Sequence, residues 1–486
     1  MRLRALLLAC ALTLSGCAAI DQLVPAPTPT GAVDEQDLIW SDCSDGFECS
    51  KIFAPLDWTA ETGEFVQIQL MRKIGTEDLP PILVNPGGPG STATKWLRDG
   101  YDTVGTSWLR ENFQVLAFDP RGVGESTAVE CTDLELKDEV LYGQSPYPYG
   151  SEEDLEFSKE LVKRFAESCQ KSGPSPAYFN TQQTARDMDL IRILFGQEQL
   201  NFLGYSYGTE LGATYAALFP DRVGKFILDG AVDPNADPGT QLLGQVRGFD
   251  KALRAYLADC LTQTTCPFSG DVDSAMGVIA SFLQARETVP LPTDSERTLG
   301  IQPAISGMIV TLYSQESWQY LSQAFDGAFD GDGTIFLLLA DFYNDRNPDG
   351  GYLTNINEAN FAISCADRAV APERKELSVD IEKASVVFGR YFSSPDISCT
   401  GWPEGIGMEK LDYNVELANR PMVIGTTGDP ATPYEQAQAL AELLDGQLLT
   451  LTGEGHTAYG SNRCVNSLVD AYLEGLDLGT TNLNCL

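Results

Sequence analysis

Seven short apolar runs limit what this chain can fold into, because most stop at a Gly, Asp or Pro turn and leave room for helices between them. They cover residues 65–70, 81–85, 113–118, 200–203, 225–228, 421–424 and 447–451. Runs of this length bounded by breakers read as buried strands. Strands alternating with helix-length stretches predict an α/β fold, a mainly parallel sheet flanked by helices on both faces. Groups that do chemistry then belong at the carboxyl ends of the strands. The rhythm breaks between residues 238 and 419, where patches such as 242–261 and 314–342 look helical. That stretch separates the strand before Asp229 from the strand before Asp429. An insertion there would fold as a mostly helical cap over the site. The expected layout is a core in two parts, 35–237 and 420–486, around a cap of 238–419. Asp345-x-Asn347-x-Asp349-Gly350 begins like a calcium loop, but Ile356 stands where a bidentate Glu is needed, so it reads as a turn.

The N-terminus predicts export. Arg2 and Arg4 precede an apolar stretch, 5–14, which is too short to span a bilayer and fits a signal peptide. It runs into Leu14-Ser15-Gly16-Cys17, which resembles a bacterial lipobox. The resemblance implies a leader of 1–16, cleavage before Cys17 and lipid on its sulfur, anchoring the protein to the outside of the cell membrane. A soluble secreted form is the alternative. Residues 17–34, with Pro25, Pro27 and Pro29 among small residues, read as an extended tether. Loss of the leader removes two arginines and leaves 30 basic against 69 acidic side chains, about −39. Such a charge argues against nucleic acid and anionic lipid surfaces as partners.

Ten cysteines remain beyond Cys10 and Cys17, an even number that in an exported chain favours disulfides. Pairing neighbours in order gives 43–49, 131–169, 260–266, 365–399 and 464–485, although spacing alone leaves connectivity open. There is no Cys-x-x-Cys pair, so a zinc site is a poor reading.

His456 is the chain's one histidine and so its one imidazole able to shuttle protons near neutral pH. Upstream stand Gly204-Tyr205-Ser206-Tyr207-Gly208 and Gly428-Asp429-Pro430. The order Ser, Asp, His is that of the α/β-hydrolases. A neutral Ser206 hydroxyl is a poor nucleophile and needs His456 as base. The imidazolium that forms needs a carboxylate to orient and stabilise it. Asp429, after the 421–424 strand, is the first choice, with Asp229 and Asp233 as rivals. Thr432-Pro433-Tyr434-Glu435 reads as a capping box that starts a helix behind Asp429. Asn85-Pro86-Gly87-Gly88-Pro89-Gly90 follows another strand and offers backbone amides to a developing oxyanion. Gly88 is the expected donor, with Gly87 next in line, and Tyr207 supplies the second. The loop lacks a Gly-Lys-Ser/Thr ending, so phosphate binding is a weak reading. No metal or organic cofactor is needed for this chemistry.

Asn-Pro-Gly-Gly-Pro-Gly, Asp119-Pro120-Arg121-Gly122-Val123-Gly124-Glu125-Ser126, Gly-Tyr-Ser-Tyr-Gly-Thr and Gly-Asp-Pro-Ala-Thr-Pro together resemble the exported tripeptidyl aminopeptidases of actinobacteria, relatives of the prolyl aminopeptidases. The resemblance spans roughly residues 40–486. It implies an α/β-hydrolase fold with an inserted helical cap, the triad Ser206, Asp429 and His456, and a serine exopeptidase cutting short peptides from free N-termini. The disulfide habit of that family agrees with the cysteine reading. Ala362-Ile363-Ser364-Cys365-Ala366-Asp367 resembles a recurrent cap motif of the family. Asp367 is the candidate ligand for a substrate ammonium, and Glu210, on the nucleophile helix, is the second; a surface or helix-capping role for Asp367 stays open. The Asp119–Ser126 turn reads as structural. Two competing readings remain, an esterase or lipase with the same triad and a surface lipoprotein that binds peptides without cutting them.

Overall fold

The computed structural model describes residues 32–60, 63–368, 375–394, 396–479 and 481–486. The leader, the lipobox with Cys17 and the tether as far as residue 31 lie outside the described residues. One sheet carries the fold. Its strands are β1 (Ser41–Asp42), β2 (Phe47–Pro55), β3 (Phe65–Lys73), β4 (Pro81–Asn85), β5 (Gln114–Phe118), β6 (Leu200–Tyr205), β7 (Val223–Asp229), β10 (Met422–Gly428), β11 (Gln447–Glu454) and β12 (Leu483–Cys485). A separate hairpin joins β8 (Leu291–Pro292) to β9 (Thr298–Leu299). The sheet order is β1-β2-β3-β5-β4-β6-β7-β10-β11-β12. Pairing is antiparallel from β1 to β5 and parallel from β5 onward. All seven expected strands form. The sequence pattern misses β2 because Cys49, Lys51 and Pro55 interrupt it, yet from Ser50 onward every second residue is buried.

Both faces of the sheet are covered, which is why its parallel strands are apolar throughout. Leu83, Leu116, Phe202 and Leu228 point into one core with helices Thr181–Leu194 and Tyr207–Leu218. Ile82, Val84, Val115, Leu203 and Ile227 point into the other, against helices Ala93–Gly100 and Arg463–Glu474. β7 and β10 are parallel neighbours, so residues 230–421 leave the sheet and return beside their exit.

The excursion has its own core, in which Leu253, Leu257, Ile279, Met308, Phe325 and Phe336 meet. The helical patch expected over 314–342 consists of two helices, Trp318–Phe329 and Thr334–Tyr343, after a short 3-10 turn. The break falls at Asp330-Gly331-Asp332-Gly333, where Gly331 takes φ +93°. Helix Ile356–Asp367 does not belong to the cap core. Its Ala359, Ala362 and Ile363 pack into the main core, and Cys365–Cys399 and the buried Lys137–Glu358 pair (2.7 Å) hold it there. The other bridges join Cys43–Cys49, Cys131–Cys169, Cys260–Cys266 and Cys464–Cys485.

Arg121 is fully buried in the turn after β5. Its Nε and Nη2 donate to the two oxygens of Asp187 (2.8 and 2.6 Å), and its other donors reach the carbonyls of Leu56, Tyr178 and Pro55. That geometry locks three segments together behind the site.

Candidate active site

Ser206 sits between β6 and the helix it opens, at φ 55° and ψ −124°. A non-glycine residue held there stores strain, a pattern that concentrates at functional sites. The turn is enforced from three sides. Ser206 N–H donates to the Asp229 carbonyl (2.8 Å), and Thr209 N–H and Oγ1 donate to the Ser206 carbonyl (2.8 and 2.7 Å). A Cβ on Gly204 would lie 2.4 Å from the Gly208 carbonyl oxygen, and one on Gly208 would lie 2.8 Å from that of Asn85. Only glycine fits on either side of the serine.

His456 follows β11 on a loop pressed against the cap, its backbone N–H donating to the Tyr313 carbonyl at 2.8 Å. Its Nδ1 lies 2.9 and 2.8 Å from the two oxygens of Asp429. A carboxylate on Nδ1 fixes the proton there and leaves Nε2 as the free base. Asp429 is itself buried and accepts from the Ala431 and Thr432 amides (both 2.9 Å). Burial works against the His456 imidazolium, but the charge and hydrogen bond of Asp429, helped by Asp229, outweigh it and raise its pKa above the ordinary histidine value.

Of the rival acids, Asp233 is spent on its own turn, where it accepts from Asn235 N–H. Asp229 is fully buried but makes no hydrogen bond to the imidazole. Its Oδ2 accepts from the Ala458 and Tyr459 amides (2.9 and 2.7 Å), just past the histidine. Its Oδ1 has no partner among the described residues. Burial pushes this carboxyl up to about 6. Asp229 thus ties the nucleophile turn, through its carbonyl, to the histidine loop, through its side chain.

Thr432 corrects the expected capping box. The helix begins at Tyr434 with Pro433 as its N-cap and no side-chain cap. The Thr432 hydroxyl donates instead to Asp429 Oδ2 (3.0 Å) and lies 3.3 Å from His456 Nδ1. Sequence reasoning missed this role; the available signal was a hydroxyl three residues beyond the acid.

The glycine loop lies directly on the nucleophile turn. A Cβ on Gly87 would meet the Tyr205 carbonyl oxygen at 2.5 Å, Ser206 Cβ at 3.0 Å and the Tyr207 nitrogen at 3.2 Å. The Gly87 amide donates to Asn85 Oδ1 (2.9 Å), which leaves the Gly88 amide the freer of the two. The amide of Gly88 has no partner among the described residues. That of Tyr207 lies in the first helical turn, where no intrahelical acceptor exists.

Asp367 and Glu210 come together. Helix Ile356–Asp367 starts at this loop, where Asn360 Nδ2 donates to the Pro89 carbonyl, and ends at Asp367. Thr181 donates to both oxygens of Asp367, from its amide (2.7 Å) and its hydroxyl (2.6 Å), and accepts from the Tyr207 hydroxyl. Glu210 is half-buried one turn after Ser206 and makes no hydrogen bond or ion pair among the described residues. Burial pushes Glu210 up to about 7, with the Asp367 charge adding to the rise and Arg368 opposing it. Burial likewise pushes Asp367 up to about 6, against its two Thr181 bonds. Neither forms an ion pair among the described residues. A cavity of about 1430 Å³ near Ser50, Thr94 and Asn355 contains none of these groups.

A serine on a strained turn, a carboxylate-held imidazole and two free amides beside a glycine loop define a serine hydrolase. The family model described as alpha/beta hydrolase fold matches residues 80–462. The chain belongs to that family. Among its relatives, serine protease Hip1 of Mycobacterium tuberculosis is 33% identical over 453 residues, covering 90% of this chain and 86% of the relative. Carboxylesterase B of the same organism is 31% identical, covering 94% and 92%. A tripeptidyl aminopeptidase of Streptomyces lividans is 26% identical, covering 89% and 84%. Among the described residues no helix is long and apolar enough to cross a membrane.

Proposed function

We propose that this serine hydrolase is an exported aminopeptidase that releases short peptides, tripeptides first among them, from free N-termini. Ser206 Oγ bonds to the scissile carbonyl carbon while its proton passes to His456 Nε2. Asp429 holds the imidazolium, and the amides of Gly88 and Tyr207 bind the oxyanion. The carbon–nitrogen bond then breaks as His456 gives the proton to the departing amine. Water attacks the acyl-enzyme by the same route, its proton going through His456 back to Ser206. No cofactor enters. Lipid on Cys17 would hold the enzyme at the outer surface of the membrane, and its acidity is unsuited to nucleic acid.

The relatives bear names for both peptide and ester hydrolysis, so the family does not choose between them. The observation that carries the peptide reading is the Glu210–Asp367 pair, two carboxyls beside the nucleophile helix with no ion pair among the described residues. A substrate ammonium supplies the missing charge. The spacing favours a short acyl part. Seven helical residues from Asn360 to Asp367 rise about 10 Å, and an extended peptide covers about 3.3 Å per residue, so about three residues fit.

The test is to incubate the enzyme and Ser206→Ala with peptides bearing free or acetylated N-termini and to read products by mass spectrometry. Short N-terminal fragments from free peptides only, and from wild type only, are expected. Ester cleavage without peptide cleavage would give the site to the esterase reading. Failure to label with a fluorophosphonate would leave a binding protein.

A further inference from the structure

Helix Thr334–Tyr343 buries Phe336, Leu337 and Ala340 in the cap core. Ile335 and Leu339 are partly buried against the same core, whereas Leu338, Phe342 and Tyr343 form an exposed apolar arc. Leu338 is 59% exposed, Phe342 75% and Tyr343 40%. Single exposed apolar residues are ordinary, but three of them within six residues of one helix mark a binding surface. The arc carries no charge on a chain with a formal charge of −37. The helix's one acid, Asp341, points elsewhere and is paired with Arg297.

One end of the arc reaches the proposed catalytic base. The Tyr343 side chain lies beside that of Tyr313, and each hydroxyl bears on the other's ionisation. The Tyr313 ring stands edge-on to the His456 imidazole, with centroids 5.3 Å apart at 72°. In acyl transfer the base delivers its proton to the departing amine. A surface continuous with the imidazole through two tyrosines therefore meets the leaving half of the substrate. The acyl half ends on the opposite side, at Glu210 and Asp367.

We propose that Leu338, Phe342 and Tyr343 form the leaving-side subsite, and that it takes peptides with bulky apolar or aromatic side chains just downstream of the cut bond. The inference rests on the aminopeptidase reading and deepens it. Burying one such side chain against the arc gives a preference of about tenfold in kcat/KM over glycine.

The test is a peptide series with three constant N-terminal residues followed by Phe-Leu or by Gly-Ser, assayed on wild type and on Leu338→Ser/Phe342→Ser. Both positions are on the surface, and melting temperature checks the fold. Wild type should favour Phe-Leu by about tenfold, and the double variant should lose most of that ratio. Equal rates in wild type, or a ratio that survives the double substitution, overturns the subsite while leaving the aminopeptidase reading intact. If wild type cuts neither peptide but hydrolyses a tripeptide methyl ester, the aminopeptidase reading fails and the subsite with it. A change from dimer to monomer on a sizing column in the double variant would give the arc to a second copy of the chain and overturn the proposal.

Discussion

Replacing Glu210 with Gln tests the ammonium site most directly. The change keeps shape and removes one of the two carboxyls of the proposed ammonium site. A hydrogen bond to a charged group contributes about 1.5–3 kcal/mol, which is about 10- to 150-fold in kcat/KM. That loss should fall on substrates with a free N-terminus. The assay is the ratio of kcat/KM for a tripeptide nitroanilide with a free amine to that for its acetylated form, across pH 5 to 9. With Glu210 near 7 and Asp367 near 6, both must ionise to hold an ammonium, so wild-type kcat/KM on the free substrate climbs through that window. The acetylated substrate reports His456 alone. Stability moves the other way. A carboxyl raised from an ordinary value of 4.5 to about 7 keeps its proton longer in the folded state, so it costs the fold stability as pH rises between those values. Glu210→Gln removes that cost, and its melting temperature should gain on wild type from pH 5 to pH 8. A variant with an unchanged free-to-acetylated ratio refutes the reasoning, whatever its stability does.

Thr432→Val removes the hydroxyl that supports Asp429 and should lower kcat by about tenfold with little change in KM, while Thr432→Ser restores it; an unchanged kcat would sink the role. Asp229→Asn takes a negative charge from behind the imidazole, so the His456 pKa falls and the acid limb of the ester pH profile moves to lower pH; a fixed limb would make Asp229 purely structural. In wild type that limb should lie above the ordinary histidine value, because kcat needs the neutral imidazole and the neighbouring charges hold its proton. Arg121→Ala breaks a fully buried pair and should cost about 3–5 kcal/mol of stability, read by denaturant unfolding, with near-normal turnover in the molecules that fold. Normal melting with lost turnover would contradict that assignment.

Much of the architecture was legible because its causes are local. Most of the parallel strands are buried on both faces and so read as apolar runs, and several end where a glycine or acid turns the chain. The glycines around Ser206 are legible for the same reason, since the turn they permit spans five residues. β2 was not, because only one of its faces is buried and a disulfide cysteine, a lysine and a proline fill the rest. The helical patch over 314–342 was legible, but not its division at Gly331, where backbone conformation overrides apolar periodicity. The site was harder wherever a residue's meaning depends on a distant neighbour. Gly87 and Gly88 look alike in sequence, and only the reach of Asn85 Oδ1 separates the engaged amide from the freer one.

The same dependence on distant neighbours explains Thr432, Asp229 and the acid pair, and it makes one physical point about the proposed chemistry. Thr432 fits a capping box until its hydroxyl is seen beside Asp429, where the Thr432 and Ala431 amides also donate, and the N-cap passes to Pro433. Asp229 lies 227 residues before His456 in the chain, yet it orders the two amides beyond it and presents its carbonyl to Ser206. Helix Ile356–Asp367 is reached after the whole cap, yet one end touches the glycine loop and the other meets Glu210. Three loops that carry the proposed nucleophile, base and oxyanion donors are thus each braced by a group from another strand end. A shift of helix Ile356–Asp367 would move Asp367 and the glycine loop together. The proposed binding of an N-terminus at one end of that helix would thereby bear on the proposed oxyanion site at the other, and a remote ammonium would contribute to kcat as well as to KM.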